Sequence, residues 1–388
     1  MNSIDLASDP LKEIFVRLPL KSLGKLKSVS KEWRSILESK SFIEMHLSFQ
    51  KSRSRQKILA AYKCDCCDRP KLSPVSVMEG DEEIVNLHCD STERPLMNYE
   101  GLLCIPEPDW VNVLNPSTGE LRRFPSGPVP EPSLFLNMLP RSAGIIQIFF
   151  YVFNLVLNFE FAQKKFKLQL EGWLFFPGYW AMGFGKDRVT GSYKVVRMLF
   201  DPVECDILDV QTGGEWRKLS PPPYEVDAER RSACVNGTIY WLSYLSIKWG
   251  YKILALDLHT EEFHDVASIP KYPYGVTHLT QLLNLDDCLV MSTTRNCEKE
   301  LEIWFMDSKD ERWSKTYSIS LADVASTLHP LKVWWFTPVA ISKEGNVLFS
   351  DDKGNLFKHY PHINTTRRLS HSTYCVIAPY LKILVRLH

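Results

Sequence analysis

One strand-turn-strand unit recurs along most of the chain, and this repeat restricts the possible folds more than any other feature. In each copy an apolar strand ends in a polar turn, and a second strand with aromatic and basic residues follows. The copies span 110–124, 205–219, 253–263, 301–313 and, more weakly, 355–369. Their turns lie at Thr118, Thr212, Thr260, Lys309 and Thr365, separated by 94, 48, 49 and 56 positions. A period near 48 is typical of propeller blades of four strands.

Turn signals inside these units indicate four strands in each. Asn236-Gly237 marks a hairpin ahead of the apolar run 239–242, and the polar stretches 187–192 and 342–346 also separate apolar runs. A meander of four strands cannot bury both of its faces alone. Successive units must therefore stack on one another.

The two ends of the repeat region are expected to meet. We predict that the last strands, 374–377 and 381–385, pair with the first, 58–62, because closing the ring removes exposed strand edges. The prediction for 58–388 is an all-β domain, a β-propeller of about six four-stranded blades, with five or seven blades as alternatives.

The first 57 residues differ from the repeat region in both charge and period. They hold twelve Lys and Arg against six Asp and Glu, a net charge of +6, whereas the whole chain sums to zero. Asp9 is a suitable N-cap and Pro10 a suitable first residue for a helix. Apolar residues then follow at helical spacing at Leu11, Ile14, Phe15 and Leu18.

Two more short helices are predicted at 21–28 and 30–39. Three helices in about forty residues bury little among themselves, so we expect an apolar face that is left for a partner protein. The alternative is that the helices form an N-terminal cap on the larger domain.

Three stretches at the N-terminus occur in a characteristic order. They read LASDPLKEIFVRLP at 6–19, LKSL at 20–23 and VSKEWRSI at 29–36. This order resembles the F-box over roughly residues 4–48. On this resemblance the domains are a small all-α three-helix F-box at 1–48 and a basic linker at 49–57.

The F-box resemblance implies docking onto a SKP-type adaptor and, through it, onto a cullin-based ubiquitin ligase. The residues it implies for the adaptor contact are Leu6, Pro10, Leu11, Ile14, Leu18, Pro19, Leu23, Leu26, Val29 and Trp33. The sequence departs from the family pattern at Ala7, Pro10 and Ser30. Losing one apolar anchor costs about 1–3 kcal/mol of binding, so weaker adaptor affinity is expected.

The repeat region resembles the F-box-associated domains of plant F-box proteins, sometimes described as kelch-like. The matching pieces, in order, are GLLC at 101–104, VLNPSTG at 113–119, GFG at 183–185, YKVV at 193–196 and NGTIYW at 236–241. The apolar stretch 139–172 departs from that family, and we interpret it as an atypical insertion or as translated sequence that is not part of the usual fold.

One cluster of soft ligands is a candidate zinc site: Cys64, Cys66 and Cys67, with His88 and Cys89 further on. The spacing C-x-C-C is not the C-x2-C spacing that lets two thiolates grip one metal. A cysteine-rich loop is the favoured interpretation, and no metal or cofactor is predicted.

Motifs of catalysis are missing from the sequence, which has no G-x-S-x-G, P-loop or H-E-x-x-H pattern. The glycines of GFG are interpreted as a strand-end turn. The acidic pairs at 261–262, 286–287 and 351–352 are interpreted as solvated turn residues, and the aromatic run 334–336 as packing between blades. The protein is therefore predicted not to be an enzyme.

The balanced total charge gives no sign of a nucleic-acid or membrane-surface partner. The apolar run within 144–161 is shorter than the roughly 20 residues that a membrane helix needs. Ten cysteines without a secretory leader pattern indicate reduced thiols, hence cytoplasm or nucleus.

Together these features predict the substrate-recognition subunit of a SKP-cullin-F-box ubiquitin ligase, with the β-domain holding an unidentified target protein. Two alternatives remain open. One is a degenerate F-box protein that no longer binds the adaptor. The other is a free-standing propeller, as an enzyme or a binding module, in which the helices merely cap the domain.

Overall fold

A computed structural model shows a helical unit followed by a ring of six β-sheets. The residues that it describes are 5–53, 57–63, 75–79, 82–89, 97–106, 110–125, 181–200, 203–228, 230–245, 250–266, 279–295, 299–325, 335–351, 354–369 and 376–387. Within these ranges no helix combines the length and the apolar character that crossing a bilayer requires. The apolar stretch 144–161 lies outside them.

The helical unit, residues 5–53, contains four helices. They are α1 (Asp5–Phe15), α2 (Leu20–Leu26), α3 (Lys31–Glu38) and α4 (Lys40–Arg53). Helix α1 begins at Asp5, before the predicted cap at Asp9, and Pro10 lies inside it, where it supplies no backbone donor. Helix α4 extends into the segment 49–57 that the sequence pattern assigns to a linker.

The spacing of apolar residues does not predict helix α4, because this helix is buried on two sides. Phe42 packs in the core of the helical unit, whereas Leu47 packs in the core of the propeller and Ile43 borders both. A helix with two buried sides shows no single apolar stripe.

Five of the sheets are four-stranded meanders whose strands follow the chain order. Blade 1 contains β4 (Met97–Tyr99), β5 (Leu102–Pro106), β6 (Trp110–Asn115) and β7 (Glu120–Pro125). Blade 2 contains β8 (Ala181–Lys186), β9 (Tyr193–Phe200), β10 (Val203–Asp209) and β11 (Arg217–Leu219). Blade 3 contains β12 (Ala233–Val235), β13 (Thr238–Leu245), β14 (Gly250–Asp257) and β15 (Phe263–Asp265).

Blades 4 and 5 continue the ring. Blade 4 contains β16 (Thr280–Leu285), β17 (Cys288–Arg295), β18 (Glu300–Asp307) and β19 (Arg312–Ser320), followed by the short helix α5 (Ala322–Ala325). Blade 5 contains β20 (Phe336–Ile341), β21 (Val347–Asp351), β22 (Leu356–Tyr360) and β23 (Thr365–Arg368). The predicted propeller of six four-stranded blades is confirmed, and each of the five repeated turns joins the third strand of a blade to the fourth.

Blade 6 joins the two ends of the chain. It contains β1 (Lys57–Lys63), β2 (Val75–Glu79), β3 (Glu82–Cys89) and β24 (Val376–Tyr380), in the order β2-β3-β1-β24. Strand β24 runs antiparallel to β1, with Leu59 opposite Ala378, so the predicted clasp forms. The stretch 381–385, however, is not part of this sheet, although its alternating pattern predicts a strand.

The interval of 94 positions between the first two repeats does not contain another blade among the described residues. Blades 1 and 2 adjoin each other through β4 and β8. The additional chain length belongs to 126–180, and this range, with the predicted insertion at 139–172, lies outside the described residues.

The GFG glycines lie inside β8, not in the predicted strand-end turn. A Cβ atom at Gly183 would overlap the Trp241 ring of blade 3, and one at Gly185 would overlap the Cys234 sulfur. Close packing between blades 2 and 3 is therefore what requires glycine at both positions.

Helix α4 lies across one end of the propeller. The Lys40 Nζ donates to the carbonyl oxygen of Thr190 at 3.3 Å, and the Lys343 Nζ donates to that of Ser52, also at 3.3 Å. Thr190 and Lys343 lie in turns that join the first strand of a blade to the second. We call the end of the ring at which these turns lie the covered end. At the opposite end, the open end, the second strand of each of blades 1 to 5 leads to the third.

Lys51 of α4 fixes the helix near the axis of the ring. Its Nζ lies 3.0 Å from Glu100 Oε1 in blade 1 and 2.9 Å from Asp287 Oδ2 in blade 4. These blades face each other in a six-membered ring, so the ammonium group spans the mouth of the central channel. Burial alone would lower the pKa of Lys51, but the Glu100 charge and the hydrogen bonds to Asp287 and Glu100 raise it overall.

Candidate docking surface

The helical unit has a small apolar core of its own. The buried residues of this core are Phe15, Val16, Leu23, Ile36, Leu37, Phe42 and, from the other end of the sequence, Leu384. Trp33 lies against Phe15 in an edge-to-face arrangement, with ring centroids 5.3 Å apart. The short helices therefore hold together through a few large side chains.

The ten residues predicted for the adaptor contact fall into three groups. Those exposed to solvent are Pro10, Ile14, Pro19 and Val29. Those half-buried against the core are Leu11, Leu18, Leu26 and Trp33. Leu23 is fully buried, and the side chain of Leu6 lies outside the described residues.

Leu23 requires a correction. Helical spacing places it on the apolar side of α2, and the structure directs that side into the core, where no partner protein reaches it. Ile14 and Val29, in contrast, are 56% and 62% exposed. Both side chains are therefore accessible to a partner protein.

Ser30, one of the three departures from the family pattern, has a clear local role. It is the N-cap of α3, and its Oγ accepts a hydrogen bond from the Trp33 backbone N–H at 3.0 Å. The hydroxyl satisfies one of the donors that the first turn of a helix leaves unpaired.

The helical unit also exposes basic side chains. Those exposed are Arg17, Lys21, Lys25, Lys31, Arg34, Lys40 and Lys51, of which Lys40 and Lys51 contact the propeller. Arg17 lies 3.5 Å from Glu13 one helical turn away, an exposed pair that contributes little to stability. The unit therefore presents positive charge to an approaching partner, which favours an acidic one.

The open end of the propeller offers a second accessible surface. Arg230 precedes β12, Thr280 begins β16 and Trp335 precedes β20, so the three lie at the mouth of the central channel. The Arg230 guanidinium donates to the Thr280 carbonyl oxygen at 2.8 Å and lies 5.7 Å from the centroid of the Trp335 ring. Trp335 is 38% exposed, which differs from the predicted packing between blades, whereas its neighbour Phe336 is buried as predicted.

Three residues of the acidic pairs have structural roles, so the prediction that the pairs are merely solvated is wrong for these three. A hydrogen bond from Arg217 is the main cause that lowers the pKa of Glu261. Asp287 pairs with Lys51, and Asp351 is buried at the end of β21.

The described residues form no metal-binding cluster. Among the described residues, no three His, Cys, Asp or Glu side chains are grouped so as to hold a metal ion. The candidate cysteines Cys64, Cys66 and Cys67, and the side chains of His88 and Cys89, lie outside that part of the chain.

Comparisons with known proteins agree with both halves of this architecture. The F-box domain family matches residues 4–45, and the F-box associated beta propeller domain family matches residues 179–359. An F-box/LRR-repeat protein of Arabidopsis thaliana is 49% identical over 402 residues, covering 100% of this chain and 84% of the relative. A putative F-box protein and an F-box/kelch-repeat protein of the same plant are 46% and 45% identical, each covering 100% of this chain, with 88% and 84% of the relatives covered.

Proposed function

The chain belongs to the F-box proteins that carry an F-box-associated β-propeller domain, and from this premise we propose that it is the substrate receptor of a SKP-cullin-F-box ubiquitin ligase. The helical unit binds a SKP-type adaptor, the adaptor connects it to a cullin, and the propeller holds a target protein. The receptor makes and breaks no bonds. It raises the concentration of the target near a bound ubiquitin-conjugating enzyme, which is a proximity effect.

The observation that carries this proposal is the exposure of Ile14 and Val29 on a folded, basic helical unit. The apolar side chains near Ile14 and Val29 in the sequence pack in or against the core of the unit, whereas these two do not. These two side chains are therefore accessible to a partner, and the exposed basic residues of the same unit favour an acidic one.

A direct test measures the affinity of the full chain for a purified SKP-type adaptor. We expect the double variant Ile14→Asp, Val29→Asp to bind about a hundredfold more weakly or worse, because each lost apolar anchor costs about 1–3 kcal/mol. Neither substitution changes the core, so the circular dichroism spectrum should match that of the natural chain.

Ile363 provides a matched control. It is 61% exposed, close to the values of Ile14 and Val29, but it lies between β22 and β23 of the propeller. Ile363→Asp should leave adaptor affinity unchanged. If the natural chain does not bind the adaptor, the degenerate F-box protein or the free-standing propeller becomes the better interpretation.

We assign the target to the open end of the propeller, because the helical unit occupies the other end. Trp335 and Arg230 lie at the mouth of the channel there. Trp335→Asp should reduce the recovery of target proteins that co-purify with the chain from cells, without changing adaptor affinity. Ile363→Asp should change neither, and equal recovery by all three proteins would place the target elsewhere.

The proposed place of action is the cytoplasm or the nucleus. In the described part of the chain, the thiols of Cys104, Cys205, Cys234 and Cys288 are free, as in a reducing compartment. A fluorescent fusion of the full chain, imaged in plant cells, tests this assignment.

A further inference from the structure

The segment 381–387, which follows β24, lies between the helical unit and the propeller. Its side chains alternate between the two. Ile383, Val385 and Leu387 are buried in the apolar core of the propeller, whereas Leu384 is buried in the core of the helical unit. One extended stretch of chain therefore contributes to both cores at once.

The propeller holds this segment through its backbone. The Nδ2 of Asn115, a fully buried side chain, donates to the carbonyl oxygen of Val385 at 2.8 Å. The Nη1 of Arg122 donates to the carbonyl oxygen of Leu387 at 2.6 Å. Both donors belong to blade 1, so the propeller fixes the backbone of the segment.

The helical unit holds the segment through two side chains. Leu384 completes an apolar cluster that includes Phe15 and Leu23. Arg386 forms an ion pair with Glu38 at the end of α3. Without the segment, the small core of the helical unit would be open on this side.

The position of the segment depends on closure of the ring. It directly follows β24, the strand that closes blade 6 by pairing with β1, with Ala378 opposite Leu59. If β24 leaves the sheet, the segment loses its attachment to blade 6, and only the contacts with blade 1 still hold Leu384 near the helices.

We propose that segment 381–387 couples closure of the propeller ring to completion of the helical unit, so that the adaptor-binding helices are stable only in a chain whose ring is closed. Because coupling between two sites is reciprocal, a partner bound to the helices also stabilises the closed ring. This partner is the adaptor of the proposed function. The coupling itself does not require that function.

Hydrogen exchange of the full chain tests the coupling without any partner. We expect Leu384→Ala to accelerate exchange of the α2 and α3 amides by about tenfold or more, because it opens the core that these helices share. Lys382→Ala, in the same segment but outside both apolar cores, is the matched control and should leave these amides unchanged. Unchanged exchange in Leu384→Ala would overturn the proposal.

A second variant tests the long-range part. Ala378→Asp puts a charge into β24 and disfavours ring closure, although Ala378 belongs to the blade 6 sheet and not to the core of the helical unit. We expect the α2 and α3 amides to exchange faster in this variant as well. Fast exchange confined to β1 and β24 would show that ring and helices are independent.

Adaptor affinity separates this proposal from the proposed function. Faster α2 and α3 exchange in both variants, with no adaptor binding by the natural chain, would support the coupling and reject the ligase role. Equal adaptor affinity of the natural chain and Leu384→Ala, with unchanged exchange, would support the ligase role and reject the coupling.

Discussion

Ser30 and Trp33 are joined by the hydrogen bond that begins α3: the Ser30 Oγ accepts the Trp33 backbone N–H at 3.0 Å. The same helix places the Trp33 ring against Phe15. The cap therefore supports the contact between α1 and α3, on which the shape of the helical unit depends.

We predict that Ser30→Ala destabilises the helical unit by about 1 kcal/mol, the usual cost of removing an N-cap side chain. Hydrogen exchange of the first-turn amides of α3 measures the effect. Ser30→Asp keeps an acceptor at the cap and should retain most of the protection. If Ser30→Ala and Ser30→Asp exchange alike, the cap is not what stabilises α3.

Trp33 is predicted to act through stability as well as through contact. Trp33→Ala removes an edge-to-face ring pair and leaves a cavity beside Phe15, so we expect a loss of about 2–4 kcal/mol from the helical unit. Trp33→Phe should recover part of it. Exchange rates of the α1 and α3 amides measure this. A variant with natural exchange rates and weak adaptor binding would instead assign Trp33 to the contact alone.

The propeller can be predicted from the sequence because its signal repeats. Turns such as Asn236-Gly237 and the recurring Thr118-type turn mark strand ends locally, and their period gives the size of a blade. The structure of segment 381–387, in contrast, is not predicted by its sequence pattern. Its alternation is that of a strand, yet its two sides pack on two different cores and not on the faces of a sheet. Periodicity shows that two sides are buried, but not what buries them.

The sequence predicts which apolar residues the helical unit contributes, but not which of them are exposed to a partner protein. Leu23 and Ile14 both lie on apolar stripes at helical spacing, and the spacing cannot tell which one faces the core. The structure separates them, because Leu23 is buried by α3 and α4 side chains while Ile14 is exposed. The role of Lys51 is equally hidden, since its partners Glu100 and Asp287 are brought together only by closure of the ring.

We expect His46 to make the helical unit sensitive to acid. It is buried in α4 beside the Phe42 ring, and among the residues that the structure describes its Nδ1 has no hydrogen-bond partner. Burial lowers the pKa of His46 below the ordinary value of 6.5. The stability that comes from the neutral ring is therefore complete above about pH 6.5 and is lost as the pH falls through the lowered value.

We predict that His46→Leu removes this acid sensitivity. As the pH falls from 7.5 to 5.5, the melting temperature of His46→Leu should rise relative to that of the natural chain. His264→Leu, at an exposed histidine, should follow the natural chain at both pH values. A constant difference across the range would mean that the pKa of His46 is the same in the folded and the unfolded chain.

Gly183 and Gly24 are predicted to respond in opposite directions to the same substitution. At Gly183 a methyl group would overlap the ring of Trp241, whose Nε1 donates to the Met182 carbonyl oxygen at 2.9 Å, so the ring is not free to move away. Gly183→Ala should therefore destabilise the junction of blades 2 and 3 by about 1–3 kcal/mol.

At Gly24, inside α2, a methyl group would meet no atom within 4 Å, and Gly24→Ala should stabilise the helical unit by about 0.5–1 kcal/mol. Hydrogen exchange of β8 and of α2 measures the two effects separately. Equal protection of β8 in Gly183→Ala and in the natural chain would show that blade 3 can yield, and that close packing does not explain the glycine.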